Sequence, residues 1–161
     1  MPDLILLRHA AAKPAASGAT DFERPLSGRG RAAAARAAQR LRGSGGAIDR
    51  LLYSPARRTQ ETAGILAREL ALGEDALLAV PELYAASAAA IRAVVKNKRG
   101  TTAVLLVVGH NPGISDLGRE LVRGLAPEGL STAAFWRFSF DAENWPALTR
   151  GAVVAAGEPD Q

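Results

Sequence analysis

An α/β fold, with a mostly parallel sheet covered on both faces, is predicted by three features of this sequence. Short apolar runs alternate with longer amphipathic stretches, and parallel strands need the crossover connections that helices supply. The runs at residues 4–7 and 101–108 are apolar almost throughout, as strands buried on both faces are. Serine, proline and glycine punctuate the amphipathic stretches where helices start and stop.

Residues 4–7 read as the first strand, followed by a polar loop containing Gly18, Asp21 and Pro25. Ser27 suits an N-cap for a helix over 28–42, which Gly43, Gly45 and Gly46 end. Residues 48–53 are the second strand. Ser54 as N-cap and Pro55 at the first helical position open a helix to about residue 72. A short strand at 77–80, a helix at 86–98, the β-branched strand at 101–108 and a helix at 114–125 come next. Near the end, AAFWRFSF alternates so that Trp136, Phe138 and Phe140 share one face, and GAVVAA forms a last strand.

The chain of 161 residues suits a single domain over 1–161 that buries roughly two thirds of its unfolded surface. With 48% hydrophobic and 22% charged residues it has a soluble protein's composition. Its apolar runs fall short of the ~20 residues that cross a bilayer. The apolar run from Leu4 meets Arg8 too soon for a secretory signal, so the cytoplasm is expected. Zero cysteines exclude disulfides and thiolate chemistry, and two histidines make a zinc site improbable. Lys and Arg number 20 against 16 Asp and Glu, a mild +4 that favours an anionic partner. Nucleic acid is not indicated, because Arg29, Arg36 and Arg40 read as a solvated helix face with no aromatics interleaved.

In open sheets of this class, ligands bind where the carboxyl ends of the strands meet loops. Arg8-His9 follows the first strand, the segment from Ser54 to Arg58 follows the second, and Gly109-His110 follows the most apolar one. Arginines converging on one point match a phosphate, since guanidinium forks suit its geometry and stay charged. A neutral imidazole among them can attack phosphorus and form a covalent phosphohistidine. The second imidazole then steadies the phosphoryl oxygens or carries a proton.

Four segments, LLRHA, RPLSGRGRAAA, LLYSPARRTQETA and VLLVVGHNPG, resemble the histidine phosphatase superfamily, the phosphoglycerate mutase-like proteins. The resemblance runs through nearly the whole chain, and RHA, GHNPG and the short length look most like the compact bacterial SixA-type phosphohistidine phosphatases. It implies a three-layer α/β/α sandwich, phosphoglycerate mutase-like, without the cap insertions of larger relatives. It also implies that His9 is the nucleophile, that Arg8 and Arg58 bind phosphate, and that His110 is the second active-site histidine. Arg58 lies four residues after Ser54 as the family pattern requires, which leaves Arg57 a surface neighbour. Ser27 falls near a family position that helps order the loop or touches phosphate, although its plain reading is an N-cap. Larger relatives carry a carboxylate general acid in a segment comparable to VPELYAAS, where Glu82 is the candidate.

The mechanism expected has neutral His9 attacking in line while Arg8, Arg58 and His110 surround the phosphoryl group; water then hydrolyses phospho-His9. No metal or organic cofactor is required, since arginines neutralise the charge. The first-choice substrate is a phosphorylated protein of the histidine phosphotransfer type. A broad phosphatase of small phosphoesters and a phosphate-binding protein without turnover are the alternatives.

Overall fold

The structure, a computed structural model, describes residues 1–159. Among these, one sheet is built from β1 (Asp3–Arg8), β2 (Arg50–Tyr53), β3 (Leu77–Ala79), β4 (Val104–Gly109), β5 (Phe135–Ser139) and β6 (Ala152–Gly157). Across the sheet the order is β3-β2-β4-β1-β5-β6. The first four strands in that order are parallel, as expected of a mostly parallel sheet, while β5 and β6 add an antiparallel pairing at one side. The reversal has a local cause. The Ala133 N–H donates to the carbonyls of Arg8 and His9, so the chain enters β5 from the C-terminal end of β1 and must run backwards beside it.

Successive strand residues face opposite sides, and both sides are buried. Ile5, Leu7, Leu51, Leu106 and Val108 pack against α1 (Gly28–Arg42) and α2 (Arg57–Glu69). Leu4, Leu6, Leu52, Leu105 and Val107 pack against α3 (Ala88–Lys98) and α4 (Gly113–Leu121), which makes three layers. Each fully buried Leu or Ile here contributes roughly 1.5–3 kcal/mol. Trp136, Phe138 and Phe140 share the α3/α4 side as their alternation predicts, whereas Phe135 lies on the other.

Several boundaries differ from the sequence reading. Helix α4 stops at Leu121 instead of near residue 125, because Val122 is extended. Helix α2 begins at Arg57 with Ala56 as its N-cap, so Ser54 is not the cap. Arg36 and Arg40 are half-buried and only Arg29 is exposed, so the stripe on α1 is less solvated than expected. A short α5 (Asn144–Ala147) precedes β6. Among the described residues no helix is long and apolar enough to cross a membrane.

Two features fix the ends of β1. At its start, Asp3 accepts from the Nε of Arg137 at 2.6 Å, and that guanidinium, only 1% exposed, also donates to the Gly46 carbonyl. Beyond its end, a Cβ on Gly30 would lie 2.0 Å from the Ala11 carbonyl oxygen. Only glycine lets α1 press this closely on the loop that leaves the sheet.

Candidate active site

Strand register brings the polar residues to one level. Arg8 pairs with Gly109 and Tyr53 with Val108, so His9, His110 and Ser54 all step off the same edge of the sheet. The His9 N–H donates to the Gly109 carbonyl and the Ser54 N–H to that of Val108, which ties all three turns together. The imidazole centroids of His9 and His110 are 5.2 Å apart.

His9 is buried, and its Nδ1 donates to the Ala10 carbonyl at 2.7 Å. That bond leaves Nε2 unprotonated, and its lone pair accepts the Nε–H of Arg58 at 3.3 Å. Burial pushes the imidazole down to about 3, and His110, Arg58 and Arg8 push the same way against the bond to Ala10. At neutral pH this is an uncharged imidazole in a fixed tautomer. The Ala10 N–H is itself held by Thr62 Oγ1 at 3.1 Å, one turn along α2 from Arg58.

Arg58 sits in the first turn of α2, where the positive end of the helix dipole adds to its own charge. Its outer edge is gripped by one residue. Nη1 donates to the Asp21 carbonyl at 2.8 Å and Nη2 to the Asp21 carboxylate at 3.1 Å. The inner edge, Nε and Nη2, faces His9 and His110, with Nη2 3.3 Å from Nδ1 of His110.

Asp21 also accepts from Arg24 at 3.1 Å and from the Tyr84 hydroxyl at 2.9 Å. Arg24 above all, then Tyr84 and Arg58, holds its carboxyl down at about 2. The same bond raises the Tyr84 phenol. Tyr84 stands edge-on to His110 at 5.6 Å and to the exposed Phe22 at 5.1 Å, forming an aromatic rim beside Asp21.

His110 is buried, and desolvation first, then Arg58, pushes it down to about 4. Its Nε2 lies 2.8 Å from Ser54 Oγ. Arg8 is half-buried and steadied by the Leu130 carbonyl at 3.2 Å, an oxygen that also accepts from Asn111 at 2.8 Å. Its charge reaches both imidazoles, since it opposes the protonation of each. Two cationic side chains, one bare imidazole nitrogen and a second neutral ring can receive a tetrahedral oxyanion and attack its centre. Among the described residues no cluster of three or more His, Cys, Asp or Glu is placed to hold a metal ion.

Arg8, His9, Arg58 and His110 thus converge as the sequence reading expected, but two other candidates do not join them. The Ser27 hydroxyl caps α1, accepting from Gly30 N–H at 2.9 Å and donating to the Ala11 carbonyl at 3.2 Å. Its phosphate-touching alternative has no free group to use. Glu82, in a 3₁₀ turn at Pro81–Leu83, is exposed and lines a groove with Ala90, Ala93 and Asn97 of α3, with no polar contact to the four converging residues. Arg57 is 57% exposed and pairs with Glu61 at 3.3 Å, as a surface neighbour should. Ser54, Asp21 and Tyr84 went unread as site residues. Ser54 resembled a helix cap, and no local pattern reveals that a loop Asp and a Tyr some sixty residues on will meet at one arginine.

Residues 4–79 match the model of the histidine phosphatase superfamily, branch 1. No curated protein matches the chain in sequence. The structure is similar to that of a candidate phosphohistidine phosphatase SixA from Nakamurella multipartitia, with 29% identity, TM-score 0.83, and coverage of 98% of this chain and 96% of that one. It is also similar to the protein histidine phosphatase SixA complexed with tungstate, with 25% identity, TM-score 0.81, and coverage of 98% and 97%. A SixA structure from Agrobacterium tumefaciens shares the fold at TM-score 0.84 and 23% identity, covering 98% of each chain.

Proposed function

We propose a two-step reaction for this chain, which belongs to the histidine phosphatase superfamily and is a phosphatase: phosphoryl transfer to His9, then hydrolysis of phospho-His9. The observation that carries the reading is the Nδ1 bond of His9 to the Ala10 carbonyl, which leaves an unprotonated Nε2 turned to Arg58, whose Nε–H it accepts until a phosphoryl group takes that donor. In the first step the Nε2 lone pair forms a bond to phosphorus while the bond to the leaving group breaks and takes its electron pair outward. Arg8, Arg58 and His110 hold the three equatorial oxygens. In the second step water attacks phosphorus and His9 departs with its lone pair.

The substrate we infer is phosphohistidine on a protein. A phosphorylated imidazole that carries a proton on its other nitrogen leaves as a neutral ring, so it needs no acid from the enzyme, whereas an alkoxide does. The pocket fits the first case. The carboxyl that contacts Arg58, Asp21, is held ionised, and Glu82 lines a separate groove beside α3. Similarity to two proteins named phosphohistidine or protein histidine phosphatase SixA supports the same substrate.

The test compares kcat/KM at one pH for a phosphohistidine-bearing phosphotransfer protein, glycerol phosphate and a sugar phosphate, in the wild type and in Glu82→Gln. Phosphohistidine is expected to turn over far faster, with Glu82→Gln within about two-fold of wild type. Rapid quenching should trap alkali-stable, acid-labile phosphate on the wild type and none on His9→Ala. Fast alkyl phosphate hydrolysis that collapses in Glu82→Gln would overturn the substrate, and an active His9→Ala would overturn the mechanism.

A further inference from the structure

Phe22 stands between the two residues that fix the turn Asp21–Glu23 beside Arg58. Asp21 grips Arg58 and accepts from Arg24 at 3.1 Å, and the Glu23 carboxylate accepts the Thr20 N–H at 3.4 Å. Arg24 also donates to the Lys13 carbonyl at 2.9 Å. None of these bonds uses the Phe22 side chain, which is 38% exposed. The turn is held without it, and a phenyl ring left partly in water forgoes burial energy that its carbon surface offers.

The ring's position is specific. It meets Tyr84 edge-on at 5.1 Å, and Tyr84 meets His110 edge-on at 5.6 Å. Three rings thus step outward from a buried imidazole to an exposed phenyl. A phosphoryl group seated against Arg58 and His110 makes no use of a ring two contacts away, and a small ester such as glycerol phosphate ends in hydroxyls that gain nothing there. A phosphohistidine on a helix brings more: residues three and four positions away share its face, about 5–6 Å off. An apolar side chain at one of them can cover Phe22 while the phosphorylated imidazole enters the pocket.

We propose that Phe22, backed by Tyr84, is the docking contact for the helix that bears the phosphohistidine, meeting an apolar side chain three or four positions from the modified residue. The proposal rests on the phosphohistidine reading of the pocket. An aromatic ring on a rigid support brings a large contact area at low entropic cost, which is why such rings anchor protein interfaces. Here the support is rigid because Asp21 and Glu23, on either side of Phe22, are both tied down. Phe22 selects the carrier, while Arg8, His9, Arg58 and His110 act on the phosphoryl group.

The experiment compares two substrates with the same phosphorus–nitrogen bond, a phosphohistidine-bearing phosphotransfer protein and N-phosphoimidazole, which has no carrier. In Phe22→Ala, kcat/KM for the protein should fall about ten-fold through KM with kcat kept, while that for phosphoimidazole stays within about two-fold. Phe22→Leu should recover part of the loss. Changing the apolar residues three and four positions from the phosphohistidine to Ser should lower the wild-type kcat/KM to a similar extent and add little in Phe22→Ala, as a shared contact requires. Equal losses on both substrates would mean that the ring acts on the pocket through Asp21 and Arg58, and an unchanged rate on the protein would leave the ring without a partner. Either result overturns the docking contact and leaves the chemistry of the pocket standing. A wild type that hydrolyses neither substrate overturns the phosphohistidine reading, and the docking contact with it.

Discussion

Arg58 and Asp21 are joined twice: Nη1 to the backbone carbonyl at 2.8 Å and Nη2 to the carboxylate at 3.1 Å. A two-point grip on one edge of a planar guanidinium fixes the direction of the other edge, which here faces both imidazoles. Asp21 is exposed, so the loop following β1 aims Arg58 without being part of the core. Asp21→Asn keeps the carbonyl contact and weakens the carboxylate one. It is expected to lower kcat/KM about ten-fold on the basis of misplaced contacts to the transferring group and to leave the thermal midpoint nearly unchanged. Unchanged kinetics would show that Arg58 finds its direction without Asp21.

Arg58 and Arg57 are neighbours with opposite surroundings, one buried against His9 and the other paired with Glu61 in solvent. Arg58→Ala should cost about 3 kcal/mol or more in the transition state, measured as kcat/KM, on the scale of a lost oxyanion donor. Arg57→Ala should change it less than about two-fold. A larger loss in Arg57→Ala would reassign the phosphate contact.

The two histidines give the protein an acid-sensitive stability. His9 at about 3 and His110 at about 4 both lie below the ordinary 6.5, so the unfolded chain binds their protons first as pH falls. Their contribution is complete above pH 6.5 and is lost progressively as pH drops toward 4 and then 3. Asp21, held near 2, acts in the same sense at still lower pH. Urea titrations should therefore show stability falling below pH 6.5, with a shallower fall in a His9→Ala, His110→Ala double variant. The acid limb of kcat/KM, corrected for the substrate's own titration, should follow the His9 nucleophile toward about 3 and not lie near 6.5.

Asp3 and Arg137 sit at the opposite end of β1 from His9. Asp3→Ala would leave the Arg137 guanidinium buried without its carboxylate, a loss of about 3 kcal/mol in unfolding free energy. Because β1 stays paired along both edges, kcat/KM should remain within about two-fold of wild type. A stability loss accompanied by a large kinetic loss would mean that the two ends of the strand are coupled.

Much of the architecture could be read from local pattern. The apolar runs at 4–7 and 104–108 mark strands buried on both faces, since alternation disappears when neither face meets water, while Thr101 to Ala103 before the second run stay outside the strand. Strand followed by helix implies parallel pairing, and that pairing sends Arg8-His9, Arg58 and His110 to one edge. Side-chain type then indicates phosphate chemistry, because guanidinium charge and imidazole nucleophilicity belong to the residues wherever they stand.

What needed the tertiary structure was every role that depends on a partner distant in sequence. Ser54 has the sequence context of a helix cap, and only the β2–β4 register sets its hydroxyl against His110 instead. Ser27 has the same apparent ambiguity and resolves the other way, because Gly30 and Ala11 saturate its hydroxyl. Asp21 and Tyr84 carry no periodic signal, and they meet at Arg58 because two loops cross over one sheet edge. Glu82, two positions from Tyr84, turns to the outer face of α3. Hydrophobic periodicity records which face of an element is buried; hydrogen bonds and charge contacts at the site join side chains from separate loops, and their few-ångström distances exist only once the sheet has brought those loops together.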